Sequence, residues 1–214
     1  MHYTYHYKIP VAMKDHLKTF IGQPLMNVTV IFGHVRWLTA VKRGNHFYAD
    51  SCYLCSYLPN QNKSSNPLRI AFKTLPWGIL GAMNQMEMHL FIQKDAYHWI
   101  NQQLQPHEKS VTISGAGIPM VEEIRIYSHQ STGHGDADID ENYADDTYEA
   151  DIDTMLVLLL SNNTVWCFMY IFSSEPCDGV EVAFYHDKRD FEQHFPDRHT
   201  ILGESLYQKV EILR

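Results

Sequence analysis

Two apolar runs separated by a short polar break place the strongest constraint on how this chain folds. Residues 155–160 and 165–172 are almost entirely apolar, and residues 161–164 between them read Ser-Asn-Asn-Thr. Neither run approaches the ~20 residues that a membrane-spanning helix needs. Apolar runs of this length joined by a few turn-forming residues are typical of a β-hairpin in a protein core. The sequence therefore predicts an antiparallel pair of strands at its centre.

Alternating patterns predict further strands along the rest of the chain. In residues 3–9, Tyr3, Tyr5 and Tyr7 alternate with polar residues, which is the period of a strand, and Pro10 ends it. Helical spacing is confined to 11–21, 95–104 and 187–195. Because the strands come in runs, we expect an α+β fold with mostly antiparallel β-sheet, about ten short strands and three short helices. The other predicted strands are 25–32, 35–41, 46–58, 68–75, 111–114, 120–127, 180–185 and 207–213.

The length of 214 residues suits a single globular domain over 1–214. The alternative is two lobes, 1–58 and 68–214, joined by the polar loop 59–67. The first ten residues, MHYTYHYKIP, contain no basic segment followed by an apolar run, so we expect no secretory signal and a cytoplasmic location.

Charge is distributed unevenly along the chain. Residues 1–107 carry ten Lys and Arg against four Asp and Glu, a net +6, whereas residues 108–214 carry seven against twenty-one, a net −14. Nine carboxylates fall within 136–153 with no Lys or Arg among them, and their mutual repulsion predicts a mobile acidic loop over 129–153. The nine are Asp136, Asp138, Asp140, Glu141, Asp145, Asp146, Glu149, Asp151 and Asp153.

Three sequence patterns could indicate a bound metal ion: two in or next to this acidic segment, and one at a pair of cysteines. A calcium loop beginning at Asp138 fails because its sixth position, which requires glycine for a sharp turn, is Tyr143. A second candidate is a transition-metal site formed by His129, His134, Asp136 and Asp138. The C-x-x-C spacing of Cys52 and Cys55 lies in a strand-like run with no second pair, so we expect structural thiols there.

Other signatures are absent from the sequence. It contains no G-x-S-x-G nucleophile elbow, no phosphate-binding glycine loop and no dinucleotide fingerprint, so we expect no cofactor. The basic residues of the first half are dispersed and the second half is acidic, so nucleic acid is not an expected partner, and neither is a membrane.

In its size, strand content and acidic segment, the chain resembles the small acidic immunity proteins of bacterial toxin systems. The resemblance implies a non-enzymatic binding protein that inhibits a basic protein partner, such as a toxin or nuclease, through the nine carboxylates. One alternative is a metal-dependent hydrolase that uses the histidine–aspartate cluster. Another is a structural or assembly subunit, for which self-association through the two oppositely charged halves is expected.

Overall fold

The structure is a computed structural model. It describes residues 2–32, 46–49, 51–56, 68–74, 86–92, 109–113, 119–134, 147–170, 180–198, 200–201, 204–205 and 209–214. The elements in chain order are β1 (His2–Tyr7), α1 (Val11–Lys18), β2 (Leu25–Phe32), β3 (His46–Ala49), β4 (Ser51–Ser56), β5 (Leu68–Thr74), β6 (Met86–Ile92), β7 (Lys109–Ile113), β8 (Val121–His134), β9 (Thr147–Leu160), β10 (Val165–Tyr170), β11 (Val180–Tyr185), α2 (Lys188–Arg198), β12 (Thr200–Ile201), β13 (Glu204–Ser205) and β14 (Lys209–Leu213).

Most of these strands belong to two antiparallel sheets. The first sheet has the order β14-β8-β9-β10-β11-β3, with β1 added alongside β9 as its one parallel strand pairing in the described residues. The second sheet has the order β6-β5-β4-β2-β7, and β12 pairs with β13 separately. The described part of the chain is thus mostly antiparallel sheet with two helices, consistent with an α+β or mainly-β fold.

The hairpin predicted at the two apolar runs is confirmed. β9 and β10 pair antiparallel from Leu159 opposite Val165 to Met155 opposite Met169. The turn is closed by backbone hydrogen bonds from Asn163 to Leu160 and from Leu160 to Thr164, 2.9 and 3.0 Å long. Asn163 has φ +68°, the left-handed conformation that asparagine tolerates better than most residues.

One predicted strand is really two. The sequence pattern over 46–58 predicts a single strand, but β3 pairs with β11 in the first sheet and β4 pairs with β2 and β5 in the second. The prediction is wrong because an extended pattern does not tell which strands a segment pairs with, and β3 and β4 pair with strands of different sheets. Residues 46–56 therefore connect the two sheets.

The centre of the first sheet is buried on both of its faces. Leu156 and Leu158 are at most 1% exposed on one face, and Val157 and Leu159 at most 5% on the other. This is why residues 155–160 read as a continuous apolar run. Phe191 of α2, which is fully buried, packs in a cluster with Tyr127 and Tyr185. Leu17 is the buried residue of α1.

Strands from before and after the polar segment 59–67 pair with each other. β4, which precedes it, pairs with β5, which follows it, and β1 pairs with β9. Segments 1–58 and 68–214 therefore contribute strands to the same sheets. The predicted strand 35–41, the predicted helix 95–104 and the loop 59–67 itself lie outside the described residues.

The acidic loop predicted over 129–153 needs correction at both ends. β8 continues to His134 and β9 begins at Thr147, and their pairing is continuous from Ser128 opposite Asp153 to His134 opposite Thr147. Repulsion does not keep these residues out of the sheet, because the positive charge of Lys8, in the segment that follows β1, pairs with both Asp151 and Asp153. Among the described helices, none is long and apolar enough to cross a membrane.

Candidate functional site

The long β8–β9 hairpin holds the two ends of the acidic segment together. His134 and Thr147 are paired residues, and Cα atoms of paired antiparallel strands lie about 4.5–5.5 Å apart. The twelve residues 135–146 connect these two positions, and they contain six of the nine carboxylates. These six lie outside the described residues: Asp136, Asp138, Asp140, Glu141, Asp145 and Asp146.

The other three carboxylates alternate along β9 and so lie on one face of the sheet, with increasing burial. Glu149 is exposed, the Asp151 side chain is 22% exposed, and the Asp153 side chain is 3% exposed. An extra residue, Thr154, interrupts the pairing between Asp153 and Met155. This β-bulge shifts the alternation by one residue, so the acidic series and the apolar series that begins at Met155 lie on opposite faces.

The Asp153 carboxylate is an internal hydrogen-bond acceptor. Its Oδ1 accepts from Ser128 Oγ at 2.8 Å and from Lys8 Nζ at 3.1 Å, and its Oδ2 accepts from the backbone N–H of Ile9 at 2.8 Å. The group therefore links β9 to β8 and to the segment between β1 and α1. Hydrogen bonds to a charged acceptor are stronger than neutral ones, which offsets the unfavourable burial of the carboxylate.

Asp151 shares Lys8 with Asp153. The Lys8 ammonium forms ion pairs with both carboxylates, and His6 Nδ1 lies 3.9 Å from Asp151 Oδ2. Partial burial acts to raise the pKa of the Asp151 carboxyl, but hydrogen bonds from Lys8 and Gln130 and the charges of Lys8 and His6 lower it below its ordinary value. Asp151 is therefore ionised at neutral pH and paired within the protein.

These contacts change the set of carboxylates that a partner could reach. The sequence predicts Asp153 as a partner-binding residue, but it is 2% exposed and its oxygens already accept three hydrogen bonds. It belongs to the internal framework of the hairpin. Asp151 is partly exposed and paired with Lys8, and only Glu149 of the three is exposed.

The extended strand does not bring His129 and His134 to a common metal ion. Both lie in β8, five residues apart, which is about 16 Å at the rise of a strand. Two imidazoles that bind one ion at about 2 Å need much closer backbones. His129 is itself buried, at 5% exposure. Within the part of the chain that the structure describes, no group of three or more His, Cys, Asp or Glu could hold a metal ion.

The two cysteines of the C-x-x-C pattern lie in a strand, as predicted. Cys52 and Cys55 belong to β4, in the second sheet. Cys167 is a free thiol in β10 with no exposed surface, and burial raises its pKa well above the ordinary value, with the charge of Glu181 acting in the same direction. A thiol kept protonated in this way is inert.

Sequence reasoning missed Lys8 and Ser128 as members of the carboxylate cluster. The only signal for Lys8 is that it continues the polar side of β1, after His2, Thr4 and His6. Its partner Asp153 is 145 residues away, and only the parallel pairing of β1 with β9 brings the two together. Ser128 gave no signal at all.

A second charged cluster lies at the other end of β8. Glu123 accepts hydrogen bonds from Arg125 at 2.7 Å and from Arg214 at 2.9 Å, and Arg125 also lies 3.5 Å from Glu192 of α2. Burial acts to raise the pKa of the Glu123 carboxyl, but these two arginines lower it overall. The cluster links α2 and the C-terminal residue to β8 by paired charges.

No protein-family model, no curated protein and no solved structure matches the chain.

Proposed function

We propose that the protein is a non-enzymatic binding protein that inhibits a basic protein partner, such as a toxin or a nuclease, in the manner of an immunity protein. The binding surface is the acidic end of the β8–β9 hairpin. It comprises the carboxylates of 135–146 together with the exposed Glu149. We further propose a single α+β domain over 1–214, with about ten short strands and three short helices, acting in the cytoplasm.

The register of the hairpin is the observation that carries this proposal. Because His134 is paired with Thr147, six carboxylates are tethered at the end of the paired strands β8 and β9, beside β1. The same strands are anchored at their base by the buried Asp153 network. An array of carboxylates on a fixed support can occupy the cationic cleft of an enzyme that acts on nucleic acid, in place of phosphate groups. Long-range attraction would also accelerate capture of the partner.

The test compares two variants that lose the same charge. The hairpin variant carries Asp140→Asn, Asp145→Asn, Asp146→Asn and Glu149→Gln. The control variant neutralises four exposed carboxylates elsewhere on the described surface: Asp15→Asn, Glu122→Gln, Glu192→Gln and Glu211→Gln. Both variants and the wild type are immobilised separately and exposed to a lysate of the cells in which the protein naturally occurs. The proteins that each one retains are then quantified.

A basic protein retained by the wild type and the control variant, and lost by the hairpin variant, is the expected result. With that partner purified, the association rate should fall for the hairpin variant. The difference should shrink as salt rises above about 0.15 M, where the screening length is about 8 Å. Equal retention by all three proteins would reject the hairpin as the binding surface.

A further inference from the structure

Strand β1 occupies an unusual place beside β9. One edge of β9 is paired with β8 along its whole length, but its other edge is divided. β1 covers the edge from Thr147 to Ile152 in parallel, and β10 covers it from Met155 to Leu159 antiparallel. The change from one neighbour to the other falls at Asp153 and Thr154. β1 is therefore a separate addition to the sheet, joined to α1 by residues 8–10 alone.

The two parts of this edge are held in place differently. On the β10 side, Val165, Trp166 and Phe168 are at most 2% exposed. On the polar side of β1, by contrast, the side chains of His2, Thr4 and His6 are exposed. The contacts of these side chains with β9 are an exposed 2.8 Å hydrogen bond between His2 and Thr147 and the 3.9 Å approach of His6 to Asp151. Exposed polar pairs of this kind contribute little to stability.

For the described side chains of this segment, the buried contacts lie where β1 ends. Lys8 reaches both Asp151 and Asp153, and the N–H of Ile9 donates to Asp153, all next to the last paired residue, Tyr7. The side chain of Ile9, the residue after Lys8, is 3% exposed and so lies in the core. Among the side chains that the structure describes, the buried polar anchorage of β1 therefore consists of one ammonium group and two carboxylates.

We infer that Asp153 and Lys8 form a latch that holds β1 on β9, and that breaking it releases residues 2–7 while the remainder of the first sheet stays folded. Release uncovers the backbone edge of β9 from Thr147 to Ile152. This edge directly follows the acidic segment 135–146. The latch does not depend on the proposed binding function.

Amide hydrogen exchange measured by mass spectrometry tests the latch. In Asp153→Asn, peptides covering 2–9 should exchange at least about tenfold faster than in the wild type, while peptides covering 155–169 should be unchanged. Lys8→Met removes the ammonium from the other side of the latch and keeps most of the apolar stem, so it should have the same local effect. If Asp153→Asn does not fold, Lys8→Met still tests the latch.

Lys18→Met is the matched control, because Lys18 is an exposed lysine in the last turn of α1 whose partner is Asp15. It should leave exchange in 2–9 unchanged. Unaltered exchange of 2–9 in Lys8→Met would overturn the latch. Faster exchange spread evenly over 2–9 and 155–169 would overturn it too, because the two groups would then support the whole sheet and not β1 alone.

Discussion

At the scale of single residues, burial sets how the side chains of this protein respond to pH. His16 of α1 is half-buried, its Nε2 is shielded from solvent without a hydrogen-bond partner among the described residues, and its ring packs edge-on against Phe20 at 5.5 Å. Desolvation by this burial lowers the pKa of His16. The folded protein therefore binds a proton at His16 less readily than the unfolded chain does.

This difference predicts a loss of stability on acidification. The contribution of His16 is fully present above the pKa of an unfolded-chain histidine, about 6.5, and is lost as the pH falls towards the lower pKa of the folded state. We expect the free energy of unfolding, measured with urea, to fall between pH 7 and pH 5. In His16→Leu the fall should be smaller.

If His16→Leu and the wild type show the same slope between pH 7 and pH 5, burial of this imidazole has no thermodynamic effect. The contribution of Asp151 to the stability of the protein is also lost on acidification, because the pKa of its carboxyl is lowered in the folded state. Its window lies below the ordinary carboxyl pKa of about 3.9, so the two contributions separate along the pH axis.

At the scale of elements, the turn between β9 and β10 depends on one backbone conformation. Asn163 has φ +68°, and its Nδ2 donates to Asp187 Oδ1 at 3.2 Å. Asn163→Val should destabilise the protein by about 1–2 kcal/mol, because a β-branched residue is strained in the left-handed region. Asn163→Gly should remain within about 0.5 kcal/mol of the wild type, since glycine adopts this conformation freely and the lost hydrogen bond is exposed.

Urea unfolding of both variants measures the difference. Asn162→Val is compared with Asn163→Val. Asn162 accepts hydrogen bonds from Thr164 N–H and Oγ1 at 3.2 and 2.6 Å but has an ordinary φ, so its replacement removes hydrogen bonds without left-handed strain. A Val variant at 163 as stable as the Gly variant would contradict the left-handed assignment.

At the scale of the whole molecule, the chain connects its two sheets through residues 46–56, and α2 packs on the first sheet through Phe191. Phe168, fully buried in β10, lies at the centre of that sheet. Phe168→Ala should lower the free energy of unfolding by about 3–5 kcal/mol, because it removes a large buried side chain and leaves a cavity. Unfolding should nevertheless remain one cooperative transition, with midpoints by circular dichroism and by tryptophan fluorescence that coincide.

Two separate transitions, of which Phe168→Ala lowers only one, would show that the sheets unfold independently in spite of their connection. Val11→Ala is the matched control for the size of the effect. The Val11 side chain is 74% exposed, so its truncation should change stability by no more than about 0.5 kcal/mol.

Local sequence determined those elements whose residue pattern is sufficient to predict them without knowing which strand they pair with. The β9–β10 hairpin, β2 at 25–32 and β11 at 180–185 follow from runs of suitable residues bounded by turns; β2 and β11 have the predicted bounds, and β9 includes the predicted 155–160 but begins earlier, at Thr147. Helix α1 begins after Pro10 as predicted, but it ends at Lys18 and not at Ile21, so that Gly22, with φ +76°, lies beyond the turn that follows the helix. Steric preference and side-chain periodicity act over a few residues, which is why the sequence alone contains this information.

The tertiary structure alone decided the partners of these elements, and with them the role of the acidic residues. Reasoning from charge density cannot distinguish the exposed Glu149 from the buried Asp153, because the bulge at Thr154 and the parallel strand β1 set their surroundings. Likewise, the change of sheet between β3 and β4 depends on pairing with β11, far along the chain, and with β5. Pairing between distant strands is fixed by the packing of the whole core, and no local pattern records it.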